Sequence, residues 1–328
     1  MGDGAGRARR SRRHQRRTDD HHRPLPDLRS AFERLRRAVE DNAVTPRHAV
    51  ARILGAHLEG PFISPDRCGT HRPAWMVPPT REHLEALLGH DAVRETLLTV
   101  TLAPELPGAT EAIQRLVGDG RIVSLGHTDA LAAQVHAAAD AGATMVTHLF
   151  NAQRPLGHRE PGVVGAALAD ERLFLGTILD GRHVAASVVG IVLAAARGRV
   201  VGVTDAIATA GLPPGTWLTF GGAEVAGDEH GVGRRRDGTI AGAGIVLDEG
   251  VRRMIAAGLD PAVVLASCTE VAARSIGRDD VGHLRAGALA DLVWWDSSWH
   301  PDRVWVGGSE RATATGTEPA PTGHVLVR

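Results

Sequence analysis

Four short stretches of the chain carry residues able to hold and use a metal ion. They are His57-Leu58-Glu59-Gly60-Pro61, Gly126-His127-Thr128, Thr147-His148-Leu149-Phe150-Asn151 and Val203-Thr204-Asp205-Ala206. Each follows a short apolar run and precedes a polar turn. A side chain so placed is delivered at the C-terminal end of a strand, where barrel enzymes assemble their chemistry. Glu59, His127 and His148 make a ligand set for one hydrolytic divalent ion. Imidazole and carboxylate donors suit Zn2+ first, with Fe2+ and other divalent ions left open, and Asp205 stands beside them as a general acid/base. Each residue alone has a plainer reading: Glu59 capping the Gly60-Pro61 turn, a lone strand-end histidine packed for structure, Asp205 capping the segment that follows. Two histidines on consecutive strands, matched by a Glu two strands earlier, favour the ligand reading.

Other candidates are weaker alone. Arg159 follows the second histidine strand, and a guanidinium there suits an anion such as phosphate, unless Glu160 pairs with it. His71 in Gly69-Thr70-His71 and His183 in Asp180-Gly181-Arg182-His183-Val184 read equally as surface loop histidines. His57 reads as a neighbour of the site or a packed histidine. Cys68 and Cys268, the only cysteines, give neither a disulfide framework nor a cysteine metal site.

Alternating strands and helices must position these residues. Leu28, Phe32, Leu35 and Val39 recur at helical spacing. Strands are expected at Arg52–Leu58, Leu97–Leu102, Arg121–Leu125, Thr144–Thr147, Leu173–Leu179 and Val200–Val203. The helices between are expected at Ala109–Val117, Leu131–Ala141 and Ala185–Ala196, the last two stopped by Gly142 and Gly198. Such alternation implies parallel strands with right-handed crossovers, and polar residues at so many strand ends favour a (β/α) barrel over an open sheet. Trp217–Val225 and Gly238–Ile240 read as a hairpin-like insertion. Asp248–Ala257 and Pro261–Ile276 read as helices, and Ala290–Trp295 and Val304–Val306 as strands. The domain reading is a disordered basic tail at 1–23, a barrel at 24–280, part of a small β domain at 281–307 and a flexible tail at 308–328.

Bulk properties bound the function classes. The chain has 328 residues, is 43% hydrophobic and carries a net charge of −1. Residues 1–23 hold eight Arg against Asp3, Asp19 and Asp20, a balance of +5, so the remainder carries −6. A mildly acidic body is a poor footprint for nucleic acid. No apolar stretch is long enough to span a bilayer, and the basic N-terminus lacks the apolar segment of a secretory signal. With two distant cysteines, the expected location is the cytoplasm.

The chain resembles the N-acetylglucosamine-6-phosphate deacetylase family of the amidohydrolase superfamily. The resemblance runs from about Leu54 to Asp296. It rests on Gly55-Ala56-His57-Leu58-Glu59-Gly60-Pro61-Phe62, Gly69-Thr70-His71, Val100-Thr101-Leu102-Ala103-Pro104-Glu105, Ser124-Leu125-Gly126-His127, Thr147-His148-Leu149-Phe150-Asn151-Ala152, Arg159-Glu160-Pro161-Gly162, Asp180-Gly181-Arg182-His183-Val184 and Val203-Thr204-Asp205-Ala206. The resemblance implies metal-dependent hydrolysis of the acetamide of N-acetylglucosamine 6-phosphate by a (β/α)8-type barrel with a small β domain. It implies Glu59, His127 and His148 as ligands and Asp205 as general acid/base. His183 would polarise the acetamide carbonyl or bind substrate, and His71 would contact the sugar. Asn151, the backbone of Ala152 and Arg159 would hold the phosphate, and Leu247 would line the sugar site through its backbone. It also implies a homodimer, and no nucleic-acid or membrane partner. The family's first two barrel strands and initial small-domain strands have no counterpart here, so the barrel is expected to be incomplete, with residues 1–23 an altered start. Two alternatives stay open: another amidohydrolase, a cyclic amidase or deaminase, and a non-catalytic truncated form. A dinuclear cyclic amidase would use a bridging Lys, and all 37 Lys+Arg residues of this chain are Arg.

Overall fold

The computed structural model describes residues 25–44, 51–311 and 324–327. The basic tail expected at 1–23 lies outside the described residues. Helix α1 (Leu25–Val44) precedes strand β1 (Ala56–Glu59). Then come α2 (Arg81–Leu88), α3 (Asp91–Thr96), β2 (Leu97–Leu102), α4 (Ala109–Gly118), β3 (Ile122–Leu125), α5 (Ala132–Asp140), β4 (Met145–Val146), α6 (Gly162–Ala169), β5 (Phe174–Ile178), α7 (Ala186–Ala195) and β6 (Val200–Val203). All six strands are parallel and neighbour one another in sequence order, β1 to β6. A doubly wound sheet would reverse its order at a switch point; an unreversed order is the winding of a barrel. Within the described residues, β1 and β6 each pair on one side only, so the sheet is a curled part of a barrel, as expected from six strands.

The helices form where the apolar spacing demands. In α4, Ala109, Ala112, Ile113 and Leu116 recur at i, i+3, i+4 and i+7, and all four are buried. In α7, Val189, Val192 and Leu193 face the core while Ile191 faces solvent. Helix α5 stops where Gly142 takes φ +111, a conformation that costs a glycine little. Strands β2, β3 and β5 are buried along most of their length, and Val100, Leu102, Val123, Leu125, Val146 and Leu175 share one core with the helices, while β1 buries only Leu58. A side chain such as Ile113, fully withdrawn from water, contributes about 1.5–3 kcal/mol. Leu28 and Phe32 of α1 join the same core, and α1 packs against α3.

The structure adds elements and corrects others. Helices α2, α3 and α6 have no counterpart in the sequence reading; they have eight, six and eight residues, too few for a helical period to stand out. The expected hairpin is a four-stranded antiparallel meander of β7 (Trp217–Phe220), β8 (Ala223–Gly227), β9 (Val232–Arg235) and β10 (Ile240–Ala243). Asp228 accepts from the amides of His230 and Val232, which tightens the β8–β9 turn and leaves room for β9 in a stretch that reads as loop. After α8 (Leu247–Ala256), the helix expected over Pro261–Ile276 is broken into α9 (Pro261–Cys268) and α10 (Glu270–Ser275). Thr269 leaves the helical region at φ −128, ψ −92, where Gly282 packs directly on its backbone. A second sheet orders β13 (Ser309–Arg311), β12 (Pro301–Val306), β11 (Leu292–Trp295) and β14 (His324–Val327). Strand β13, three residues long, falls in the stretch 308–328 that reads as a flexible tail, while β14 falls on its apolar close, Val325-Leu326-Val327, which reads apart from the loose stretch. Among the described residues no helix is long and apolar enough to cross a membrane.

Candidate metal centre

The register of the parallel strands brings their C-terminal ends out on one side: Glu59 opposite Thr101, Thr101 opposite Ser124, Ile178 opposite Val203. Glu59 is the last residue of β1. His127, His148 and Asp205 each follow a strand by two residues, at φ 47, 28 and 53. Six non-glycine residues among those described have positive φ, and five sit in these turns: His127, His148, Phe150, Ala152 and Asp205. Such backbone costs about 1–3 kcal/mol per residue and persists only where the surroundings over-determine it. Here they do. The Ser64 amide donates to His127 O at 2.8 Å, Leu149 to Gly176 O at 2.7 Å and Ala243 to Asp205 O at 2.8 Å. Gly126 must be glycine for a packing reason, since a Cβ there would lie 2.7 Å from Thr147 Cβ.

The three expected ligands converge. Glu59 Oε1 lies 2.8 Å from His148 Nε2 and 3.1 Å from His127 Nε2, and the two Nε2 atoms are 3.2 Å apart. Donors about 2.0–2.1 Å from one tetrahedral ion stand roughly 3.3 Å from each other, so the set fits a single cation. The His127 Nδ1–H donates to the carbonyl of Arg67 at 2.9 Å, which orients the ring with Nε2 toward Glu59 and His148. His71 stands edge-on to His127, ring centroids 4.6 Å apart, and Glu59, His71 and His127 each offer a donor within 4.8 Å of the others. His71 is therefore at the cluster itself and not only at its rim.

The electrostatics call for positive charge. Burial would favour neutral forms of both Glu59 and His148. Against it, the His148 charge and hydrogen bonds from both imidazoles hold the Glu59 carboxyl well below the usual range. For His148, burial is outweighed by Glu59, with Asp205 adding to it, and the ring is pushed up to about 9. A carboxylate and two imidazoles brought this close leave a place where a divalent cation would satisfy all three. The residues therefore fit a divalent metal. Burial raises Asp205 to about 6, with the His148 charge opposing and Glu59 reinforcing the rise. A carboxyl so tuned can both take and return a proton near neutrality.

His183 is held by Asp180. Its Nδ1 lies 2.6 Å from Asp180 Oδ2, while Asp180 Oδ1 accepts from the amides of Arg182 and His183 at 2.8 Å. The opposite ring atom, Nε2, is buried without a partner among the described residues. Burial disfavours the Asp180 carboxylate, but these hydrogen bonds lower its pKa. The sequence reading gave Asp180 no role; its signal is the Asp-Gly-x-His spacing that lets one carboxylate cap a turn and grip the histidine. His57 Nε2 meets Thr101 Oγ1 at 2.7 Å, in a hydroxyl chain continuing to Thr147 and Ser124 beneath the cluster.

The remaining candidates lie in turns, in a loop and at a helix start. Asn151 and Ala152 form the turn after His148, with Asn151 Nδ2 donating to the carbonyls of His148 and Leu149 at 3.3 Å. A bridge between Ala206 and Ala243 carries the chain from β10 past Asp205, so that Leu247 opens α8 four residues after Ala243. Arg159 is exposed in the loop before α6. Its expected structural partner is engaged elsewhere, since Glu160 Oε1 accepts from the amides of Ala132 at 2.9 Å and Gly162 at 3.0 Å.

The family model described as "Amidohydrolase family" matches residues 27–317. An N-acetylgalactosamine-6-phosphate deacetylase of Escherichia coli O157:H7 is 36% identical over 287 residues, covering 87% of this chain and 74% of the relative. An N-acetylglucosamine-6-phosphate deacetylase of Vibrio furnissii is 34% identical, covering 87% and 70%. Among solved structures, a mutant N-acetyl-D-glucosamine-6-phosphate deacetylase of Mycobacterium smegmatis, in complex with N-acetyl-D-glucosamine-6-phosphate, matches with a TM-score of 0.79 at 34% identity, covering 88% of this chain and 74% of that one. With a metal-binding cluster at the strand ends of a barrel sheet and a family match over most of its length, the chain belongs to the amidohydrolase family.

Proposed function

We propose that the protein hydrolyses the acetamide of N-acetylglucosamine 6-phosphate to acetate and glucosamine 6-phosphate, with one Zn2+ held by Glu59, His127 and His148. The observation that carries this reading is the convergence of those three donors beside Asp205. Such an ion, when bound, supplies Lewis acidity to the acetamide carbonyl and to water. Asp205 takes the proton of the attacking water and returns it to the departing amine. His183, fixed by Asp180, offers Nε2 to the acetamide. His71 contacts the sugar from beside Glu59 and His127. Asn151, the Ala152 backbone and Arg159 hold the phosphate, and the backbone at Leu247 lines the sugar. The resemblance carries a cytoplasmic homodimer with it.

The 4-epimer, N-acetylgalactosamine 6-phosphate, is the second reading, because the Escherichia coli relative is named for it. Acetate release from the two phosphates, compared as kcat/KM, decides between them. No release from either would overturn the proposal.

Arg159→Ala is expected to raise KM for the phosphorylated sugar by about 10–100-fold, the worth of a hydrogen-bonded ion pair. The same change leaves turnover of unphosphorylated N-acetylglucosamine unaltered. Steady-state kinetics on both sugars checks it, and equal effects on the two would assign Arg159 a structural role.

A further inference from the structure

The motif Val100-Thr101-Leu102-Ala103-Pro104-Glu105 ends on a carboxylate with no part in the mechanism above. Glu105 lies beyond β2, in the loop before α4, and grips the two residues that follow His127. Its Oε1 accepts from the Asp129 amide at 2.7 Å and its Oε2 from the Thr128 hydroxyl, whose oxygen in turn accepts from the Ala130 amide at 3.0 Å. Thr128 is fully buried, so loss of its acceptor would leave a hydroxyl without water to replace it. Asp129 extends the grip. Its Oδ1 receives Arg67, from Nε at 2.7 Å and from the terminal nitrogen at 2.5 Å, and its Oδ2 receives Arg154. Arg67 closes the circuit, because its carbonyl accepts from His127 Nδ1. The ring of contacts thus runs Glu105 to residues 128–129, Asp129 to Arg67, and Arg67 back to His127. It encloses a backbone held at φ 47.

We propose that Glu105 is a positioning residue for His127, acting through Asp129 and Arg67 to hold the imidazole tautomer and ring direction that present Nε2 to the metal. This rests on the reading of His127 as a ligand. Partners of this kind are worth about 10–100-fold in metal affinity.

The test is the affinity for Zn2+ alone, measured by competition with a chromophoric chelator, together with the unfolding midpoint of each metal-free variant. Glu105→Ala is expected to weaken Zn2+ binding by about 10–100-fold. Glu105→Gln recovers part of the loss, since its amide oxygen still accepts from the Asp129 N–H while the Thr128 hydroxyl loses its acceptor. Asp129→Asn removes the charge that holds Arg67 at nearly constant shape, and it too weakens binding. Should Glu105→Ala not fold, Glu105→Gln and Asp129→Asn carry the test: Asp129→Asn weakens Zn2+ binding while Glu105→Gln stays closer to the parent. A merely fastening role would lower the unfolding midpoint and leave the Zn2+ affinity of the folded variants at the parent value. That result, with His127→Ala losing the ion, overturns the positioning role alone. Full Zn2+ retention by His127→Ala would overturn the ligand reading and the positioning role with it.

Discussion

His148→Ala is expected to remove the metal and the activity together, and His127→Ala to do the same. Each histidine is one of three converging donors. A centre left with two, and with its other positions open, does not hold a divalent ion against dialysis. His148 carries a further role, because its Nε2 is the nearer nitrogen to Glu59, at 2.8 Å, and it lies between that carboxylate and Asp205 in charge. Its loss leaves two carboxylates facing each other without an intervening cation. Elemental analysis after dialysis, with near-ultraviolet circular dichroism to show the variant is folded, checks the prediction. Full metal occupancy in either variant would refute its assignment as a ligand.

Asp205→Asn is expected to keep the ion and lose turnover. The amide is nearly isosteric and sits in the same strained turn, held by the bond from the Ala243 amide to the Asp205 carbonyl. It cannot accept a proton. A general base contributes about 10²–10⁴-fold, and both proton transfers of this reaction fall on the same group, so the loss lies toward the upper end. Single-turnover acetate release with metal content measured on the same sample separates the two effects. A variant within tenfold of the parent would require a different base.

Much of this centre is legible in the chain because strand ends have a local signature. An apolar run, one polar residue and a turn fix where Glu59, His127, His148 and Asp205 emerge, and the periods of α4, α5 and α7 fix the crossovers between them. What lies outside that signature is either short or distant. Helices α2 and α3 occupy one stretch broken at Gly89 and His90, so neither builds a period. At the kink Gly282 packs on the Thr269 backbone, a contact that nothing near Thr269 in sequence announces. The contact of Arg67 with Asp129 spans 62 residues, and that of Asp129 with Arg154 spans 25. Their side chains read as ordinary surface charges until the fold brings three loops together. His71 shows the same limit: its residues alone leave it open as a loop histidine and the resemblance sends it to the sugar, whereas its packing against His127 belongs to the fold. The Nε2 of His183, without a partner among the described residues, also belongs to the fold, since Asp180 holds the opposite ring atom.

Purified protein, stripped with a chelator and then reconstituted with Zn2+, is given N-acetylglucosamine 6-phosphate, and acetate and free amine are quantified in parallel. The expected result is one acetate per amine formed, activity lost on stripping, and recovery that saturates at one ion per chain. Acetate release unchanged after complete removal of the metal, or none from a chain carrying one Zn2+, would contradict it.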